Sequence, residues 1–416
     1  MSRTNDIIAA IEIGTSSIKV SMAQPLDDGS ISVIAFHETP CQNRVIKGEI
    51  YNVDATVELL GEALDHVEAT SGKRISSAYL AVTGAHIGSI NVQGSVPVRS
   101  YERKIADDDL VEATRHARAY NLPIDKIAVH SYQRSYIIDD QRCVSQPVGM
   151  IADKLTADIH FIYGGYNNIQ TICNVVDEVL GFPANDISFS GIADIYGLAL
   201  GADHRKGILV VDIGAGVTEY VVFYEDGCMH SGQITVGCDH IANDLSIGLR
   251  LPINKCREIL KNHGSAVRKA DGSTKCITVE TALGHPPRVF KESTIQTVIE
   301  LRLLELFEII NADLERQNVR ELIGEGVILC GGGALITDIV ELTESFFNIP
   351  AKIGQPGNVS GEVTAINSPR FVTTIGLLHL GYQLRQMEDV DNLPIHEVMK
   401  RDFVKFFNIA RKAIRF

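Results

Sequence analysis

The chain has 416 residues, 45% hydrophobic and 22% charged, enough apolar material for two or more buried cores. Its formal charge of −14 argues against general nucleic-acid binding, which needs basic surface to displace counterions from phosphates. The eight cysteines form no CxxC pair and have no histidine at ligand spacing, which speaks against zinc and fits a reducing cytoplasm.

In the opening stretch MSRTNDIIAAIEIG, Glu12 interrupts a short apolar run, so neither a secretory signal nor a spanning helix is expected there. Short β-rich runs then alternate with helical patterns: IIAAIEIG, SIKVSMAQ, the helix-like VELLGEALDHVEATSG, and SSAYLAVTG. This is mixed α/β architecture. Residues 84–165 read as an insertion, a small α+β subdomain. Within it, His86 to Val98 alternates as a strand, 107–120 is helical, and AVHSYQRSYIID and ADIHFIY are strands. At residue 207 the opening series restarts with GILVVDIGAGVTEYVVFYEDG. Ile11-Glu12-Ile13-Gly14 and Val211-Asp212-Ile213-Gly214 share one form, a β-run ending in acid-Ile-Gly, and lie 200 residues apart, so the chain contains two comparable halves. Residues 293–317 predict a long helix with Leu301, Leu304, Ile309 and Leu314 among its apolar positions.

Gly14, Thr15, Ser16 and Ser17 form a turn in which small side chains let backbone N–H groups and hydroxyls converge on an anion, with Lys19 adding charge nearby. Gly214, Ala215, Gly216, Val217 and Thr218 repeat that character. Either turn alone is equally an ordinary glycine-bearing hairpin. Together, facing each other, they would grip a polyphosphate, with Glu12 and Asp212 at strand ends placed to hold Mg²⁺ through its waters. The third element is a strand entering Gly331, Gly332, Gly333 and Ala334, where backbone can approach a flat base or ribose.

The order EIGT, VVDIGAGVTEY, LCGGGAL and TTIGLLHLGY resembles the phosphate-1, phosphate-2, adenosine and final connecting motifs of the actin-like ATPase superfamily. Within it the sequence resembles the FtsA family of bacterial division proteins. Thr83-Gly84-Ala85-His86-Ile87, Gln146-Pro147-Val148-Gly149-Met150 and the run from Val236 to Asp244 carry that narrower likeness. The resemblance implies a two-lobed actin-like fold of duplicated ribonuclease-H-like halves around a cleft for ATP and Mg²⁺. Its core subdomains would span 1–83 with 166–204 and 205–236 with 321–385. The insertion at 84–165 would replace the small outer domain of actin and meet other division proteins, and an outer subdomain at 237–320 would bind the C-terminal peptide of the tubulin-like FtsZ. It further implies head-to-tail self-polymerisation at the division septum, on the cytoplasmic face of the membrane. A metabolic kinase of the same superfamily, or a filament serving shape or plasmid segregation, is the alternative. The helix from Asn254 to Lys261 offers Glu258 and Lys261 to the ribose, or only exposed charges. Hydrolysing relatives often place a carboxylate or Gln where Phe189-Ser190-Gly191 offers Ser190, and Asp194 lies one helical turn later. Slow or absent hydrolysis is therefore expected, with Asp212 the one catalytic candidate.

The last sixteen residues differ in kind, carrying Arg401, Lys405, Arg411, Lys412 and Arg415 against Asp402, a net +4 that leaves −18 on the first 400. At 100° per residue Phe403, Phe406, Phe407, Ala410, Ala413 and Ile414 share one face opposite the basic arc, the pattern of an amphipathic helix lying on an anionic membrane. Ile409 and Phe416 fall off that face. A terminal helix docked on protein is the alternative. Residues 386–400 read as an acidic linker.

Overall fold

A computed structural model describes residues 7–388 except 27, 42, 199, 201–205, 226, 269–274, 281–285 and 362–366. The amphipathic segment at 401–416, with Phe403, Lys405, Phe406, Phe407, Ala410, Arg411, Lys412, Ile414 and Arg415, lies outside the described residues. Among the described residues no helix is long and apolar enough to cross a membrane.

The first half opens with β1 (Ile8–Ile13), β2 (Ser17–Pro25) and β3 (Ile31–Pro40), a small hairpin of β4 (Val45–Ile46) and β5 (Glu49–Ile50), helix α1 (Val53–Ser71) and β6 (Ala78–Val82). Helix α1 starts where Asn52 caps it by accepting from the Ala55 N–H at 3.1 Å, and stops at Gly72, whose φ of 65° suits glycine. The chain then forms β7 (Gly88–Pro97), α2 (Asp107–Arg118), β8 (Lys126–Ile138), β9 (Arg142–Val144) and β10 (Lys154–Gly165), a separate four-stranded sheet in the order β7-β10-β8-β9 with α2 against it. It returns through α3 (Tyr166–Leu180), β11 (Asp186–Phe189) and α4 (Ser190–Gly197).

The second half repeats the first. It comprises β12 (Ile208–Ile213), β13 (Thr218–Tyr224), β14 (Gly227–Ile234), α5 (Cys238–Leu249), α6 (Ile253–His263), the pair β15 (Cys276–Val279) and β16 (Arg288–Lys291), α7 (Glu292–Arg316), β17 (Gly326–Cys330), α8 (Ile339–Phe347) and β18 (Ala351–Ile353). A short β19 (Val359–Ser360) then rejoins β3, and α9 (Val372–Glu388) follows. The two main sheets run β3-β2-β1-β6-β11 and β14-β13-β12-β17-β18, each with two antiparallel steps followed by two parallel ones.

Central strands β1 and β12 are apolar on both faces, as strands covered by helices must be. Ala9, Ile11 and Ile13 join one core with α1 and α3, while Ile8 and Ala10 join another with Ile375, Leu377 and Leu378 of α9. In the second half Leu209, Val211 and Ile213 pack with α5 to α8, whereas Ile208 and Val210 belong to the first core, alongside Ile192 of α4. The halves therefore share packing at α4. Helices α4 and α9 cross so closely that a Cβ at Gly376 would overlap the Ala193 carbonyl, and one at Gly197 the Val372 carbonyl.

The long helix expected at 293–317 is α7, which buries Ile295, Ile299, Leu303, Leu306, Ile310 and Leu314, whereas Leu301 and Ile309, also among its apolar positions, are 62% and 42% exposed. They sit off the stripe that faces α5 and α8. Residues 386–388 continue α9 rather than beginning the linker, and the rest of 386–400 lies outside the described residues.

Candidate nucleotide site

The two glycine turns are built alike. Gly14 N–H donates to Ser17 O at 3.0 Å, and Gly214 N–H to Val217 O at 2.9 Å. Carbonyls in both turns are already engaged. Cys41 donates to Ser16 O through its N–H and to Gly14 O through its thiol, while the first N–H groups of α5, on Cys238 and Asp239, take Gly214 O and Ala215 O. The turns meet: a Cβ at Gly216 would stand 2.6 Å from Thr15 Oγ1, which accepts from the Gly48 N–H at 3.0 Å. Ser16 is exposed, whereas the Ser17 hydroxyl is buried and donates to Glu38 at 2.7 Å.

Antiparallel registration pairs Glu12 with Lys19 in one half and Asp212 with Glu219 in the other. Lys19 is buried and donates to Glu12 Oε1 at 2.8 Å and to the Arg370 carbonyl at 2.7 Å. Glu12 Oε2 is buried with no hydrogen-bond partner among the described residues. Asp212 and the fully buried Asp194 approach one another through Thr373, whose hydroxyl lies 2.8 Å from Asp194 Oδ1 and 3.4 Å from Asp212 Oδ2. Burial, then the Glu12 charge, pushes Asp212 up to about 6. Burial and the Asp212 charge raise Asp194 well above the carboxylate range. Burial, with Asp212 beside it, pushes Glu219 up to about 8. Burial and mutual repulsion thus favour the protonated forms of Asp194, Asp212 and Glu219.

The third glycine segment lies against the same acid. Gly331 has φ 77° and a Cβ there would collide with Asp212 Oδ1, and one at Gly333 would meet Ile213 Cγ2. Gly332 has open space around its Cα, and Ala334 is fully buried. Helix α6 ends beside this loop, where Ala266 N–H donates to Thr337 O at 2.8 Å and Ser265 to Asp338 at 2.8 Å. Its Glu258 and Lys261 are exposed, with Glu258 paired to Lys255 at 2.9 Å.

Sequence reading singled out Ser190 but missed its partner. Ser190 donates to Glu219 at 2.6 Å, and Thr83, at the root of the insertion, donates to the same oxygen at 2.5 Å. The pairing of Glu219 with Asp212 along a hairpin was the available signal. Arg370 was also missed; it ion-pairs with Glu38. The insertion touches both halves, through His130 to the Phe189 N–H at 3.0 Å and through His160 to Ser231 at 2.9 Å.

Two sheets of one strand order, meeting at twin hairpins that each end in an acid, define an actin-like fold. The model for "Cell division protein FtsA" matches residues 209–376, and that for the "SHS2 domain inserted in FTSA" matches 84–163. The cell division protein FtsA of Pseudomonas aeruginosa is 30% identical over 381 residues, covering 92% of this chain and 90% of that protein. That of Escherichia coli K12 is 26% identical, covering 90% of each. The chain belongs to the FtsA family of bacterial cell-division proteins. Solved structures share the fold: a PilM-PilN type IV pilus biogenesis complex (TM-score 0.65, 17% identity, covering 90% of this chain and 98% of that one) and MreB5 of Spiroplasma citri bound to ADP (0.58, 13%, 93% and 100%).

Proposed function

We propose that the chain binds Mg²⁺ and ATP between the twin hairpins, polymerises head to tail in that state, and tethers FtsZ filaments to the cytoplasmic face of the membrane at the septum. The observation that carries the nucleotide part is the meeting of the two hairpins at Thr15 and Gly216, with Glu12 and Asp212 at their strand ends. Its donor set suits a hydrated divalent ion carried by phosphates. Glu12 keeps a buried, unpartnered oxygen, and among the described residues no three acidic, His or Cys side chains gather to ligate a metal directly. Mg²⁺ prefers that arrangement because it gives up its waters reluctantly. Backbone of residues 14–17 and 214–218 would hold the phosphates, and Gly331 to Ala334 the adenosine. MreB5, of the same fold, is bound to ADP in one structure and AMPPNP in another, and MamK forms a double helical filament (TM-score 0.51).

Residues 237–320 supply the FtsZ-peptide surface in this reading, 84–165 the surface for other division proteins, and 401–416 the membrane contact. One acyl-chain-sized anchor is weak, so firm attachment follows only when polymerisation joins many. Co-sedimentation with FtsZ, anionic vesicles and ATP tests the whole. Joint pelleting that needs all three components supports it, and vesicle binding indifferent to ATP contradicts the coupling.

A further inference from the structure

The two halves put different chemistry at equivalent places. Where the first half pairs Glu12 with Lys19 across its hairpin, the second pairs Asp212 with Glu219. Directly opposed residues of an antiparallel pair share a face of the sheet, so Glu219 stands on the Asp212 side of β13. It is 6% exposed, and a single oxygen, Oε1, receives two hydroxyls from the other half: Thr83 at 2.5 Å and Ser190 at 2.6 Å. Ser190 has one proton to give; the Val82 carbonyl at 3.4 Å is a poor rival for it. Committing both hydroxyl protons to Glu219 leaves the lone pairs of Ser190 Oγ and Thr83 Oγ1 as acceptors. A pair of fixed acceptors is what orients a water by its two hydrogens.

We propose that Glu219 is a positioning residue for ATP hydrolysis, fixing the hydroxyls of Ser190 and Thr83 as a two-acceptor seat for the attacking water. The inference rests on the nucleotide reading above. It supplies from β13 the carboxyl that Phe189-Ser190-Gly191 does not carry. In the step itself the water oxygen bonds to the γ-phosphorus as the bridging P–O bond breaks, its electron pair leaving with ADP. One water proton passes to a phosphoryl oxygen and the other stays on the entering oxygen, so the products are ADP and dihydrogen phosphate and no protein base is consumed. Asp194 is excluded from this seat because its carboxyl is fully buried against Thr373. Glutamine keeps the acceptor oxygen that both hydroxyls use, whereas alanine removes it.

Glu219→Ala, Ser190→Ala and Glu219→Gln separate the possibilities in the full chain. Calorimetry gives ATP and ADP affinities, and single-turnover hydrolysis with protein in excess gives the rate. The expected result is ATP affinity within about threefold of the parent in all three. Hydrolysis should fall about tenfold or more in Glu219→Ala and Ser190→Ala, with most of the rate restored in Glu219→Gln. A nucleotide-free infrared spectrum adds a readout independent of turnover: the carboxyl band lost in Glu219→Gln should shift in Ser190→Ala. Unchanged rates in both alanine variants, or loss in Glu219→Gln as deep as in Glu219→Ala, overturn the seat. A parent that binds ATP without hydrolysing it overturns the seat alone, and a parent that does not bind ATP overturns the nucleotide reading itself.

Discussion

Thr15 and Gly216 bring the two glycine turns into contact, a Cβ at 216 falling 2.6 Å from Thr15 Oγ1 and 3.0 Å from the Lys47 Cα. Overpacking a site this tight costs about 1–3 kcal/mol. Gly216→Ala should therefore lower the thermal midpoint and weaken ATP binding, and adding Thr15→Ala should recover part of both. Additive losses in a double-mutant cycle would show that the two turns do not press on each other.

Asp212 is approached by Thr373, the Gly331 backbone and the charges of Glu12 and Lys19. Asp212→Ala should abolish calorimetrically detectable Mg·ATP binding while leaving the far-ultraviolet spectrum intact. Gly331→Ala should do nearly the same, since its Cβ collides with the Asp212 carboxylate and its φ of 77° strains any L-residue. Retained affinity in both would move the nucleotide elsewhere.

Burial raises Glu219 from 4.5 to about 8. Between those values the folded protein holds a proton that the unfolded chain has lost, so stability falls as pH rises, by up to about 1.4 kcal/mol per unit. Above the folded value the loss is complete. Nucleotide-free protein should unfold at lower denaturant at about pH 8 than at about pH 6, and Glu219→Gln should flatten that slope. An equal slope in the variant would assign the effect to other groups.

The crossing of α4 and α9 tolerates only glycine at 376, where a Cβ would overlap the Ala193 carbonyl. Gly376→Ala should destabilise by about 2 kcal/mol or more in chemical denaturation, although residue 376 carries no chemistry. A loss below about 0.5 kcal/mol would mean the helices separate at little cost.

How much of this the sequence disclosed depends on separation along the chain. Acid-Ile-Gly at residues 12–14 and 212–214 announced the duplication because each β-run, acid and turn is contiguous, and both turns fold as the same hairpin. Glu219 was invisible as a partner of Thr83 and Ser190 because those contacts span 136 and 29 residues and depend on how the halves close. The Arg370 carbonyl on Lys19 spans 351. The buried stripe of α7 was open for a different reason: on a 25-residue helix several stripes can be traced, and only packing on α5 and α8 selects the one through Ile299, Leu303 and Leu306 and leaves Leu301 and Ile309 exposed.

Residues 401–416 lie outside the described residues, so the case for their membrane contact is chemical. In the proposed membrane contact Phe403, Phe406, Phe407 and Ile414 would bury apolar surface at the acyl boundary while the five basic groups would meet anionic headgroups, each contributing about 1 kcal/mol near the surface. That electrostatic part is screened by salt within about 10 Å at 0.1 M. Removing 401–416 should abolish pelleting with anionic vesicles. Phe406→Glu should weaken it at every salt concentration, and Lys412→Glu mainly at low salt. Because attachment would multiply along the proposed polymer, the intact chain should pellet more completely with ATP than without, and the truncated chain equally little in both. Pelleting unchanged by the deletion would place the membrane contact in the body of the protein.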